Sequence, residues 1–231
     1  MMQWCYAHSG LSIVSAFEIP EWAQFALEEV VETPDAVLKL EPSLYLDGES
    51  SVKVTPDELL FTISETATYR VRAGFEITVG PAPGAGWRQV RLFLLGSVWS
   101  ALCYQRDLLV LHASAVRIGD RAVAFCGAPG TGKSSLAASL VARGFSFVSD
   151  DLCRIELSIP GIAMIYPSKP RLKLSSDMIA FPGRQDDPLE PDHLSSGKVQ
   201  QPIPGADRAP VALRAIYLLT WGDLNILEKT G

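Results

Sequence analysis

Up to about residue 86 the chain alternates apolar and polar positions in short segments cut by Pro, Gly and Asp. Leu59, Phe61 and Ile63 interleave with Leu60, Thr62 and Ser64, and Tyr69 and Val71 lead through Ala73-Gly74 to Phe75, Ile77 and Val79. A period of two is the mark of β-strands, so the pattern predicts a β-rich front region with a hairpin. After the break Pro81-Ala-Pro-Gly-Ala-Gly86 the period changes: Leu92, Leu95, Trp99 and Leu102 recur at spacings of three and four, as in a helix burying one face, with Trp99 in the core. Leu108–Ile118 and Ala122–Cys126 read as strands, and Gly119-Asp120 between them has the composition of a two-residue turn. That turn sets a register: Ile118 opposite Arg121, Val116 opposite Val123, His112 opposite Gly127.

From Cys126 the order is strand, glycine-rich turn, helix (Lys133 to Arg143), Gly144 as C-cap, and a short strand, Phe145 to Ser149. This is a βαβ unit, whose ligands belong beyond the carboxyl ends of its strands. Residues 167 to 210 hold half of the 16 prolines and read as a long irregular excursion, after which Ala212 to Trp221 returns to a buried-strand composition. The expected organisation is therefore a β-rich N-terminal region, 1–86, and an α/β core with a mixed sheet, 87–231; whether the natural chain continues past Gly231 is left open.

Composition narrows the class. In 231 residues, 48% are hydrophobic and 20% charged, which suits a chain with a real core. The net charge of −6 argues against a broad nucleic-acid or anionic-membrane surface, and there is no apolar run of membrane-spanning length. Cys5, Cys103, Cys126 and Cys153 lie far apart, without the spacing of a zinc site or a disulfide framework, so a reducing cytoplasm is the expected home.

The chemistry concentrates in one stretch. Gly127-Ala128-Pro129-Gly130-Thr131-Gly132-Lys133-Ser134 satisfies GxxxxGK[ST] between a predicted strand and a predicted helix, and Ser135 follows in the first turn. Glycines let backbone N–H groups curl round a phosphate, and the helix N-terminus adds partial positive charge. Lys133 would serve the β- and γ-phosphates and the Ser134 hydroxyl would hold Mg²⁺, which makes ATP the expected nucleotide. Phosphoryl transfer also needs a carboxylate on the metal or on the acceptor's proton, and Asp150-Asp151 end the next strand. In an unbroken strand these two point to opposite faces, so at most one reaches the phosphate. The hairpin register brings His112 to the loop's first glycine. Lys169, Arg171 and Lys173 alternate, as in a basic comb along an extended chain, and Lys198 and Arg208 could close over the site; His8 and His193 have no assignable partner.

Taken together, Leu111-His-Ala-Ser-Ala-Val116 and the run from Gly127 to Asp151 resemble the catalytic core of the HPr kinase family, bacterial serine kinases related in fold to phosphoenolpyruvate carboxykinase. The likeness spans roughly residues 108 to 157. It implies that Lys133 and Ser134 meet phosphate and Mg²⁺, that Asp150 is the base for the acceptor hydroxyl, and that His112 is an active-site residue; Asp151 is the expected carboxylate at the metal, and which of Asp150 and Asp151 is base and which binds metal is left open. The family's metal-binding glutamate has no counterpart around Tyr166-Pro-Ser-Lys-Pro-Arg-Leu-Lys-Leu174. The short form is more similar to HPr-kinase-like proteins of peptide-modification clusters, some of which phosphorylate a lasso-peptide precursor. The expected acceptor is thus a serine of a small protein or precursor peptide, and a homo-oligomer stays open.

The leading expectation is an ATP-dependent serine kinase. Two alternatives remain: a nucleotide-binding regulator that transfers nothing, and a small-metabolite kinase with Arg171, Arg184 and Arg208 in a lid.

Overall fold

A computed structural model of the chain describes residues 3–175, 190–191, 198–203 and 206–222. Its front half is a seven-stranded mixed sheet built from β1 (Trp4–His8), β2 (Leu11–Ser15), β3 (Ala36–Leu40), β4 (Ser51–Val54), β5 (Glu58–Ile63), β6 (Ala67–Arg72) and β7 (Glu76–Pro81), in the order β1-β2-β3-β7-β6-β5-β4. The hairpin expected around Ala73-Gly74 joins β6 to β7. Both turn residues have positive φ (51° and 60°), the type I′ geometry that matches strand twist. Its register pairs Tyr69 with Val79 and Val71 with Ile77, which puts all four on one buried face.

That face is covered by α1 (Trp87–Phe93), α2 (Trp99–Gln105) and the segment between them, from which Val90, Leu94, Val98, Trp99 and Leu102 share a core with Tyr69, Val71, Ile77 and Val79. The buried Tyr69 hydroxyl donates to the Val90 carbonyl at 2.8 Å. Packing therefore joins this helical segment to the front sheet. The spacing predicts one helix here; the structure breaks it with a π-turn over Leu94–Val98, where Gly96 leaves the helical region (φ −103°, ψ −106°). Glycine tolerates such values because it has no Cβ.

The second half contains β8 (Leu109–Leu111), β9 (Ala113–Ile118), β10 (Arg121–Gly127), α3 (Lys133–Ala142), β11 (Ser146–Asp150), β12 (Cys153–Ile159), β13 (Ile162–Ile165), β14 (Arg171–Ser175), β15 (Glu190–Pro191), β16 (Lys198–Pro202) and β17 (Val211–Leu219). Seven of these strands form a sheet in the order β11-β9-β10-β17-β13-β12-β8. The β9–β10 register is the expected one, with Ile118 opposite Arg121 and Val116 opposite Val123. Gly119 has φ 64°, as the first residue of a type II′ turn requires.

The pairing stops at Ala113–Cys126, one step short of His112. There the expected long strand divides: β8 pairs with β12, whereas β9 lies between β10 and β11. Ser114 stands opposite Asp150 and Leu111 opposite Cys153, so one antiparallel register runs through both sides of the gap. The segments β8–β9 and β11–β12 are thus one ribbon interrupted at His112 and Asp151, and it ties together the two edges of a curled sheet. Asp151 makes the interruption by entering the left-handed region (φ 76°), where the Leu152 N–H donates back to the Asp150 carbonyl at 3.0 Å.

Helix α3 covers the face carrying Val116, Val123, Phe125 and Phe147, with Leu172, Leu174 and Ile203 in the same core. It ends as anticipated: Gly144 (φ 93°) and Phe145 donate to the Val141 and Leu140 carbonyls in a Schellman arrangement. Strands β10 and β11 run parallel, with β9 antiparallel between them, and β17 pairs in parallel with β10 on its other side. The excursion is more regular than its prolines suggest, because β14, β15 and β16 form a small sheet. The basic comb does not form as expected: β14 begins only at Arg171, after a tight turn in which its N–H donates to the Lys169 carbonyl. Arg184 and His193 lie outside the described residues, as do the side chains of Lys173 and Lys198. Among the described residues no helix is long and apolar enough to cross a membrane.

Trp22, 1% exposed, sits at the centre of the front core, stacked on His8 and edge-on to Trp99. Trp22→Ala is expected to cost about 3–5 kcal/mol in urea denaturation, with an unchanged slope against denaturant.

Candidate functional site

The glycine-rich loop runs from the end of β10 into α3. Gly127 has φ 145°, and a Cβ there would lie 2.4 Å from the Leu219 carbonyl oxygen, so the loop starts where β10 and β17 are packed too closely for any side chain. Gly130 (φ 85°) and Gly132 (φ 89°) continue the turn, and Gly132 is the left-handed N-cap of α3, leaving the first-turn N–H groups without a side-chain cap. The loop is braced from within: Thr131 Oγ1 donates to the Ala128 carbonyl at 2.9 Å, and the buried Lys133 ammonium donates to the carbonyls of Gly127 (2.9 Å) and Ala128 (3.1 Å).

Facing this loop, Asp150 is 3% exposed and accepts two hydroxyl hydrogen bonds through Oδ1, from Ser114 Oγ at 2.5 Å and from Ser134 Oγ at 2.9 Å. The register explains the convergence. Ser114 shares the α3-facing side of β9 with Val116 and is paired with Asp150, while Ser134 occupies the first turn of α3. The Asp150 N–H donates to Ser168 Oγ at 3.2 Å, and the Ser149 hydroxyl closes the following turn on the Leu152 carbonyl. Because Asp151 breaks the strand, both carboxylates reach the cleft. Asp151 Oδ1 lies 3.2 Å from His112 Nδ1, whose imidazole is about half exposed.

His112, Pro129, Gly130, Gly132, Lys133, Ser134, Ser135, Asp150 and Asp151 thus line one cleft of about 190 Å³, together with Ala113 and Ser114. Gly127, Ala128 and Thr131 form its braced loop. The carboxylate that meets Ser134 is Asp150, and Asp151 lies against His112. Arg208 is exposed, and Lys169 lines a different, smaller pocket with His8. Sequence reasoning missed the contributions of Ser114 and Ser168. The first is readable from alternation along β9; the second, in Pro167-Ser-Lys-Pro170, carries no local signal.

His8 has its partners in the front core. It is stacked on Trp22 at 4.4 Å between ring centroids, and burial, helped by the nearby Lys169 charge, pushes its pKa down to about 3. The unfolded chain therefore binds a proton near pH 6.5 that the folded one refuses. His8 titration adds no pH dependence to stability above that pH, and destabilises by up to about 1.4 kcal/mol per unit as pH falls from 6.5 towards 3. Subtracting the urea stability-versus-pH curve of His8→Phe from that of the wild type is expected to isolate this slope. A second variant, Gly127→Ala, is expected to lower the melting temperature by several degrees, through strained backbone and the clash with Leu219.

No family model and no curated protein sequence matches the chain. Among solved structures it is similar to an HPr(Ser) kinase/phosphatase from Coxiella burnetii, at 15% identity and a TM-score of 0.36; the match covers 52% of this chain and 66%, just under two thirds, of that one.

Proposed function

We propose that the chain is an ATP-dependent phosphotransferase that moves the γ-phosphoryl group to a serine hydroxyl of a small protein or precursor peptide. The observation that carries this reading is the pair of carboxylates with different partners: Asp150 buried on the loop serine, Asp151 beside His112. A hydroxyl and a carboxylate 2.9 Å apart are hard oxygen ligands of the kind that hold Mg²⁺ together with nucleotide phosphates. Among the described residues no cluster of three or more His, Cys, Asp or Glu forms, which suits an ion completed by phosphate oxygens. Bound Mg²⁺ would offset the charge on the β- and γ-oxygens.

The protein's own groups then divide the work. The loop N–H groups and the α3 N-terminus receive the triphosphate, and Lys133 exchanges its hold on the Gly127 and Ala128 carbonyls for phosphate oxygens. Asp151, held by His112, takes the proton of the acceptor hydroxyl. The oxygen forms its bond to the γ-phosphorus as the bond to the β,γ-bridging oxygen breaks, and ADP leaves with that electron pair. This assigns the base to Asp151 and the metal to Asp150, where the family resemblance implies Asp150 as the base.

Labelled ATP, Mg²⁺ and a panel of serine peptides test the reading. The wild type is expected to label an acceptor and Lys133→Ala to label none. Asp151→Asn should lower kcat by about 10²–10⁴-fold with nucleotide binding retained, and Asp150→Asn should raise the Mg²⁺ concentration required. Labelling by Asp151→Asn at the wild-type rate would contradict the base assignment, and saturable ATP binding with no labelled product would favour a regulator.

A further inference from the structure

We infer that a second pocket, which shares Asp150 and Asp151 with the phosphate cleft, is a binding site for the carboxylate of a small organic acid. The pocket lies between the two halves, walled by the rings of His8, Trp22 and Trp99 and by Leu95, Val110 and Leu152, with Arg154 and Lys169 at its polar side. Its volume is about 20 Å³, a little more than one water needs.

Five buried side-chain nitrogen or oxygen atoms among the described residues have no hydrogen-bond partner in the protein, and three of them belong to residues that line this pocket: His8 Nε2, Trp99 Nε1 and Arg154 Nε. Their residues are 6%, 3% and 8% exposed. Buried polar groups in folded proteins are nearly always paired, so three in one pocket mark a missing partner. Two of the three call for an acceptor, since Trp99 and Arg154 can only donate; His8 Nε2 donates as well in the tautomer in which Nδ1 accepts from the Ser9 hydroxyl 3.0 Å away.

Arg154 is fixed in place. Its guanidinium stacks 4.1 Å over Tyr166 and fills the space where Gly10 lacks a Cβ, while Nη1 lies 3.5 Å from Glu156. A guanidinium and an ammonium on the wall select an anionic oxygen over a neutral carbonyl, and the aromatic faces suit a hydrocarbon body. The acidic neighbours are engaged on the cleft side, Asp150 by Ser114 and Ser134 and Asp151 by His112. The carboxylate site does not depend on the kinase reading above.

The test is a titration of the full ¹⁵N-labelled chain, without nucleotide, with acetate and benzoate, using acetamide as the neutral control. The Trp99 indole N–H resonance, identified by its loss in Trp99→Phe, is expected to move and saturate with the carboxylates and to stay in place with acetamide. His8→Phe should weaken binding at least tenfold, and Arg154→Gln gives the same result independently. An indole signal that does not move, an equal response to acetamide, or unchanged affinity in the folded variants each overturns the proposal. Because nucleotide is left out, this outcome is separate from failure of phosphoryl transfer, which labelled ATP reads.

Discussion

The architecture of the site depends on one buried carboxylate. Taking Asp150 out of water is costly unless its oxygens are met by donors. Here two hydroxyls from different elements converge on Oδ1: Ser114 from β9 and Ser134 from the first turn of α3. These contacts lock the start of the helix to the ends of two strands, and so fix the glycine-rich loop against the acid that faces it. A hydroxyl lost from either side would leave a buried charge short of a partner and free the loop from its frame.

The break in the ribbon explains why the cleft opens where it does. An uninterrupted β8–β9 and β11–β12 pair would turn Asp150 and Asp151 to opposite faces; the left-handed conformation of Asp151 brings both to one side and leaves His112 unpaired in the ladder to meet it. The front half supports this turn. Leu152 packs on the front core, and Gln24 Nε2 donates to the Ser168 carbonyl at 3.3 Å, while the Ser168 hydroxyl accepts from the Asp150 N–H. The β-rich region thus reaches the acids through Leu152 and Ser168.

Much of this was legible in the chain because the decisive contacts are local or set by a short turn. Gly119-Asp120 fixes the β9–β10 register, and with it the approach of His112 to the loop; the spacing of glycines, Lys133 and Ser134 reads directly as a strand–loop–helix. What stayed hidden depends on distant pairing. Nothing near His112 says that the strand will switch partners, since that follows from β12 lying alongside β8. His8 is an isolated histidine until Trp22 and Trp99, 14 and 91 positions away, close round it. The basic comb misled for a local reason: Pro170, whose ring fixes φ near the value of an inverse γ-turn, stands at the centre of the turn that returns the Arg171 N–H to the Lys169 carbonyl.

The most direct measurement of the account is a crystal structure with Mg²⁺ and a non-hydrolysable ATP analogue. The triphosphate is expected in the glycine-rich loop, the ion about 2.1 Å from Ser134 Oγ on the Asp150 side, and the Asp151 carboxylate off the metal and turned towards the γ-phosphate. Phosphates bound away from the loop, or an ion held by Asp151 with Asp150 still on its two serines, would contradict it.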